Sequence, residues 1–347
     1  MAISPNTIIA GRYRIVRSLG SGTQGEVYQV EDLHQRQVVA LKFLGGLSLG
    51  AWHEAQVLTG LRGDYILPVH NADVASGVPY IVTNLARHGT LKDKTPPTGL
   101  SIDEAVRYVR HACRGVARTH DAGLLHRDIK PDNIFLNERD MALLGDFGLS
   151  HLMDARKRAP FAGTPTTMSP EVAAYGDCTV ASDIYSLGAT LYYLLAGDDP
   201  HPVTAGITQQ DYLRLVATTP PPRIRDVAPH VSQGLASCVE TAMAWSPDDR
   251  HNDAAALDRA LGDLPSRRRD WRRSDEHGGH HGCWRGEHRR KRAVVTCAIS
   301  GAGRRGTSFT VETRTADTGR RIGRACRDTV PPGQLHRVLR ACMAAVD

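Results

Sequence analysis

The 347-residue chain has no run of the roughly 18 to 20 apolar residues that a membrane-spanning helix needs; its longest apolar candidate, Leu187 to Ala196, is interrupted by Gly188 and Thr190. Its first ten residues, Met1 to Ala10, lack the basic start and apolar stretch of a secretory signal. Cysteine is scarce and odd in number, seven at irregular spacing, which argues against a disulfide framework and for a reducing compartment. These absences predict a soluble, cytoplasmic protein. No internal repeat is present.

Charge is present but unevenly placed. Between Ser266 and Arg292 stand ten Lys/Arg against four Asp/Glu, an excess equal to the whole formal net charge of +6. The rest of the chain is formally neutral, so any attraction to polyanions belongs to that segment. With 41% hydrophobic residues, the chain can bury a large core, enough for a two-lobed enzyme and an appendage.

Alternating apolar positions in Tyr13-Arg14-Ile15-Val16, Gly25 to Val30 and Val38 to Lys42 predict successive antiparallel strands. Ala51, Ala55, Leu58 and Leu61 follow at helical spacing, and strand character returns at Ile66 to Val69 and Tyr80 to Leu85. After Pro96-Pro97 the pattern turns helical, with Ala105, Tyr108, Val109, Ala112, Val116 and Ala117 on one stripe.

The most informative stretch is His126-Arg127-Asp128-Ile129-Lys130-Pro131-Asp132-Asn133, followed by Asp146-Phe147-Gly148. Asp128 is suited to accept the proton of an incoming hydroxyl, and Asn133 and Asp146 offer hard oxygens to a Mg²⁺ bridging ATP phosphates. Upstream, Gly20-Ser21-Gly22-Thr23-Gln24-Gly25 is a turn whose backbone can lie close over phosphates, and Val39-Ala40-Leu41-Lys42 places a lysine on the next strand but one. Together these motifs resemble the eukaryotic-like (Hanks-type) serine/threonine protein kinases of bacteria, over about Gly11 to Leu264.

The resemblance implies a bilobal α+β fold: a small β-rich lobe with one helix (about 11–93), a larger helical lobe (about 94–264), and a small C-terminal appendage. It implies transfer of the γ-phosphate of ATP to Ser/Thr hydroxyls of proteins, with Mg²⁺ or Mn²⁺, and autophosphorylation through self-association. Asp128, Lys130, Lys42 and Glu54 would be catalytic, Glu54 pairing Lys42 from a helix that the short connection between them would leave stubby or mobile. Leu19, Gly20, Ser21, Gly22, Thr23, Gln24, Gly25, Val27, Ala40, Lys42, Thr83 and Asn84 would hold the nucleotide, Thr83 as gatekeeper and Asn84 where an acid is common. Asn133 and Asp146 would bind the metal. His126 reads as a packed structural histidine. Thr164, Thr166 and Thr167 are the activation-segment candidates, with Arg127 as partner for a phosphate there. Thr167 and Ser169 depart from the family's tyrosine and alanine, which leaves the docking loop and substrate choice open. Glu171 and Arg250 would form a supporting ion pair, and Asp183 would brace the catalytic loop. All four of Lys42, Asp128, Asn133 and Asp146 are present, which argues against a pseudokinase scaffold.

Beyond Leu264 the resemblance ends. Residues 1–10 read as an N-terminal extension and 265–292 as a basic Arg/His-rich linker, solvated, or contacting nucleic acid or an anionic surface with Trp271 and Trp284. His277, His280, His281 and Cys283 are metal-ligating side chains whose spacing fits no standard zinc pattern, so metal binding there stays an open alternative. Residues 293–347, with two alternating stretches and a stripe of Leu335, Val338, Leu339, Cys342, Met343 and Val346, predict a small α+β module.

Overall fold

Tyrosine, isoleucine and valine at alternate positions build the first lobe, a six-stranded antiparallel sheet. Its strands are β1 (Ile8–Ile9), β2 (Tyr13–Gly22), β3 (Gly25–Asp32), β4 (Gln37–Phe43), β5 (Val69–Ala75) and β6 (Val78–Asn84), in the order β1-β2-β3-β4-β6-β5. The computed structural model describes residues 3–22, 25–44, 57–266, 268–275, 280–288, 290–303 and 306–347. One face buries Tyr13, Ile15, Tyr28, Val30, Val39, Leu41, Tyr80 and Val82. Because side chains alternate, the other face carries Val27, Ala40, Lys42, Ile81 and Thr83, with Lys42 opposite both Val27 and Ile81 and Ala40 opposite Thr83. Residues expected as an N-terminal extension contribute to this sheet: Ile8 pairs with Arg14, and the Ile3 amide donates to the Tyr28 hydroxyl at 2.8 Å.

The second lobe runs α1 (Ile102–Asp121), β7 (Leu124–Leu125), β8 (Ile134–Leu136), β9 (Ala142–Leu144), β10 (His151–Leu152), β11 (Arg158–Ala159), β12 (Cys178–Thr179), α2 (Val180–Ala196), α3 (Gln209–Thr218), α4 (Gln233–Ala242) and α5 (Ala254–Gly262). Helix α1 starts at Ser101, whose hydroxyl accepts from the Glu104 amide, and buries Ala105, Tyr108, Val109, Ala112 and Val116. Helix α2 is buried almost all round, as expected of an interior helix, and is started by a capping box between Thr179 and Ser182. It stops at Gly197, which has φ 81° and where a Cβ would lie 2.1 Å from the Pro97 carbonyl oxygen. Thr179→Ala removes the cap while leaving the buried face intact, and is expected to lower unfolding free energy by about 1 kcal/mol in urea titration. The short ladders β7–β10, β8–β9 and β11–β12 pin the loops between α1 and α2.

The C-terminal residues form one unit: a five-stranded antiparallel sheet, β13 (Asp270–Ser274), β14 (Gly282–Glu287), β15 (Val294–Gly303), β16 (Gly306–Thr315) and β17 (Arg327–Val330), with α6 (Leu335–Ala344) on one face. The 265–292 segment is therefore not a linker throughout; it supplies the first two strands. Trp271 and Trp284 are 2% and 5% exposed, inside the same apolar cluster as α1, α2 and α4, so neither presents a ring for stacking on a base. Arg269, counted among the solvated charges, is buried and donates to the carbonyls of Gly286, Arg292 and Val346. The unit docks on the helical lobe: the Asp103 amide donates to Asp270 Oδ1 at 3.1 Å, and Arg340 Nη1 donates to the Arg225 carbonyl at 3.1 Å.

Candidate active site

The lysine-bearing face of the first sheet closes over the second lobe and leaves a cleft of about 350 Å³. Leu19, Gly20, Val27, Ala40, Lys42, Thr83 and Asn84 line it from above, and Phe135, Asp146 and Gly148 from below. Ser21, Gly22 and Gly25 continue the same hairpin, Gly22 paired with Gly25. Thr23, Gln24 and Glu54 lie outside the described residues. Lys42 reaches across the cleft to form an ion pair with Asp146 Oδ1. Asp146 is held at φ 56°, a left-handed backbone, and the same oxygen accepts from the Gly148 amide at 3.3 Å.

Beneath the cleft, the loop after β7 folds around Asp183 at the start of α2. Asp183 accepts from the amides of His126 and Arg127, each at 2.9 Å, and from His120 Nε2 at 2.8 Å. Burial works to raise the Asp183 carboxyl, but the His120 hydrogen bond, the two histidines and the His126 amide outweigh it and hold the group below the usual carboxylate range. These bonds keep the backbone turned at Arg127, which has φ 65°. His126 is fully buried; its Nε2 lies 3.0 Å from the Gly145 carbonyl and its Nδ1 accepts from the Asp128 amide at 3.3 Å. A ring that accepts at one nitrogen is neutral, and burial pulls its pKa down, so His126 orders the loop.

Asp128 sits at the centre of the resulting cluster, its side chain fully shielded. Its Oδ2 accepts from Asn133 Nδ2 at 2.8 Å and lies 3.0 Å from Lys130 Nζ; its Oδ1 accepts from the Thr164 hydroxyl at 2.5 Å. Lys130 also donates to Thr164 at 2.6 Å. With Nδ2 of Asn133 committed to Asp128, its amide oxygen is the atom left for a cation, and with the Asp146 carboxylate it forms a hard-oxygen pair that suits Mg²⁺.

The segment after Gly148 is tied down through backbone carbonyls. Arg127 Nε donates to Leu149 O at 2.5 Å and Nη1 to Pro160 O at 2.8 Å. Thr167 is buried and its carbonyl accepts from Ser186, whereas Thr166 is half-buried. Arg250 meets Glu171 in a two-pronged pair, both bonds 2.7 Å. Sequence reasoning missed His120, which is 63 positions from Asp183 and shares no local motif with it. It also missed Ile81, Leu85 and Phe135 in the cleft wall; Ile81 and Leu85 read only as strand positions, and no motif marks Phe135.

The two lobes and the cleft between them define the bilobal protein kinase class. The chain belongs to the protein kinase domain family, whose sequence pattern matches residues 13–260. Members of this family use ATP and a divalent metal. It is similar to the DNA damage-responsive serine/threonine-protein kinase RqkA of Deinococcus radiodurans, 29% identical over 274 residues that cover 74% of this chain and 40% of that one. It is similar also to the serine/threonine-protein kinases PknB of Mycolicibacterium smegmatis (30%, covering 72% and 42%) and PknL of Mycobacterium tuberculosis (30%, covering 73% and 65%). The chain thus spans less than two thirds of the length of these relatives. Among solved structures, the Mycobacterium tuberculosis PknI kinase domain superposes with a TM-score of 0.62 at 26% identity, covering 76% of this chain and 98% of that one.

Proposed function

We propose that the chain transfers the γ-phosphate of ATP to serine and threonine hydroxyls of proteins. The observation that carries this reading is the Thr164 hydroxyl, held by Asp128 Oδ1 at 2.5 Å and by Lys130 Nζ at 2.6 Å. An aliphatic hydroxyl already sits on the carboxylate assigned to accept the substrate proton. Asp128 would take that proton, Asn133 would fix its carboxylate, and Lys130 would face the charge on the transferring group. Lys42 would hold the nucleotide phosphates from above, beneath the Gly20–Gly25 hairpin. Asn133 and Asp146 would hold Mg²⁺, which when bound neutralises the phosphate oxygens. The chemistry asks mainly for positioning and charge compensation, which this set of side chains supplies.

Of the activation-segment candidates, Thr166 is the proposed site of autophosphorylation, because Thr167 is buried and the Thr164 hydroxyl is engaged with Asp128. No helix among the described residues is long and apolar enough to cross a membrane. Incubation with labelled ATP, Mg²⁺ and a protein substrate, followed by phosphoamino-acid analysis and peptide mapping, is expected to give phosphoserine and phosphothreonine and to place the chain's own label on Thr166. Phosphotyrosine, or no transfer from a chain shown to bind ATP, would contradict the reading.

A further inference from the structure

The sheet of the C-terminal unit has one face committed to α6, through Val294, Ala298, Val311, Leu335 and Leu339. Alternation along β15 turns Val295, Cys297 and Ile299 to the opposite face, where a one-sided antiparallel sheet ordinarily presents polar groups to water. Two thiols stand there instead. Cys283 on β14 lies directly opposite Cys297 on β15, their Sγ atoms 2.7 Å apart. His280, just before β14, brings Nδ1 to 3.3 Å from Cys283 Sγ. The donor atoms of all three lie within 4.8 Å of one another, and both cysteines are buried.

We propose that His280, Cys283 and Cys297 bind one Zn²⁺. Two thiolates and an imidazole form a borderline-soft donor set that suits zinc and not the hard cations that the carboxylate and amide of the cleft suit. A tetrahedral zinc with sulfur ligands at about 2.3 Å holds them further apart than the present 2.7 Å, so uptake moves the two sulfurs apart by about 1 Å, within reach of side-chain rotation. The fourth position faces a cavity of about 410 Å³ lined by His280, Cys297 and Glu312. Glu312 stands opposite Cys297 on β16, but its carboxylate is paired with Arg314 at 2.7 Å and Arg321 at 3.5 Å, which leaves water from the cavity as the fourth ligand. The metal ties β14 to β15 and anchors the turn at His280. A unit running from Asp270 to Asp347 is small enough for such a staple to matter to its folding. Two facing thiols could equally form a disulfide; the third donor at His280 favours the metal, since a disulfide has no use for it.

The test uses the full chain, purified with a reductant and without a metal-affinity step. Elemental analysis is expected to find one zinc per chain, and Co²⁺ added to the metal-free chain should give a thiolate-to-cobalt charge-transfer band that Zn²⁺ abolishes. Cys283→Ser and Cys297→Ser are expected to weaken Zn²⁺ binding by about 100-fold or more, at or beyond the upper end of the loss from removing an outer partner. His280→Gln should weaken it by at least about tenfold. Cys238→Ala, on α4 in the helical lobe, should leave the band unchanged. Because stoichiometry and band are read first on the unaltered chain, a variant that fails to fold does not decide the matter. A reduced chain that takes up neither ion, an affinity in all three ligand variants equal to that of wild type, or a Cys283–Cys297 disulfide that persists under reductant and excludes zinc would overturn the proposal.

Discussion

Asp146→Asn is expected to lower phosphate transfer by on the order of 10³-fold while the chain stays folded, and Lys42→Met to do the same. Asparagine keeps the shape of the side chain and removes only its charge. That charge answers the Lys42 ammonium, which descends from β4, and is the stronger of the two oxygen donors proposed for Mg²⁺. Two opposite unit charges about 4 Å apart attract by about 4 kcal/mol at the effective dielectric near a protein surface. Losing that much from the transition state corresponds to roughly three powers of ten in rate. Because both side chains act on the same phosphates, the double variant should fall little below either single one. Labelled-ATP kinetics on wild type, the two single variants and the double variant measure this. Equal incorporation by all four would mean that the cleft is not where transfer occurs.

The parts of the site legible in the sequence are those whose chemistry demands fixed local spacing. Asp128, Lys130 and Asn133 lie within six residues, so one loop brings them together, and the observed contacts among them span at most five positions. Lys42 was legible as a strand lysine, since Val39 and Leu41 alternate with Ala40 and Lys42 across the sheet. Its contact with Asp146 was not, because 104 positions separate them and only the closing of one lobe over the other joins them. His120 on α1 and Asp183 on α2 meet for the same kind of reason, through helix packing that no local pattern records.

The C-terminal unit was misjudged where arginine broke the alternation. In Asp270-Trp271-Arg272-Arg273-Ser274 a single buried tryptophan among charged residues reads as solvated chain, yet it is a strand whose inward position is filled by one large ring. Arg269, a surface charge by its sequence context, is instead a buried guanidinium whose donors are taken by three backbone carbonyls that local spacing does not bring together. Cys283 and Cys297 fit no zinc spacing because a cross-strand register, not a loop, brings them face to face.

Arg250→Ala is expected to cost about 3–5 kcal/mol of stability in the helical lobe, the range for breaking a buried ion pair from one side. The Arg250 side chain is fully shielded, whereas Glu171 is 26% exposed. Its planar fork meets both carboxylate oxygens of Glu171 at 2.7 Å, and its remaining donors reach the carbonyls of Ala181 and Ala244, each at 2.9 Å, and of Trp245 at 3.3 Å. Alanine would orphan those carbonyls, leave a cavity beneath the Pro170–Ala173 turn, and release that turn from the loop before α5. Arg250→Lys keeps the charge but cannot reproduce the fork, so it should recover only part of the loss. Glu171→Gln should cost less than Arg250→Ala, because water reaches that end of the pair and the amide oxygen still accepts one of the two bonds. Urea unfolding followed by helical circular dichroism orders the three variants. The kinetic consequence separates this pair from the cleft. Among the described residues, the hydrogen-bond partners of Arg250 do not line the nucleotide site, but the turn it anchors follows Thr164, Thr166 and Thr167 within a few positions in the chain. Below its unfolding midpoint, Arg250→Ala should therefore raise the KM for protein substrate several-fold while leaving the KM for ATP near that of wild type. An unchanged midpoint would show that water already reaches the pair in solution, and a rise in the KM for ATP alone would place its effect in the cleft.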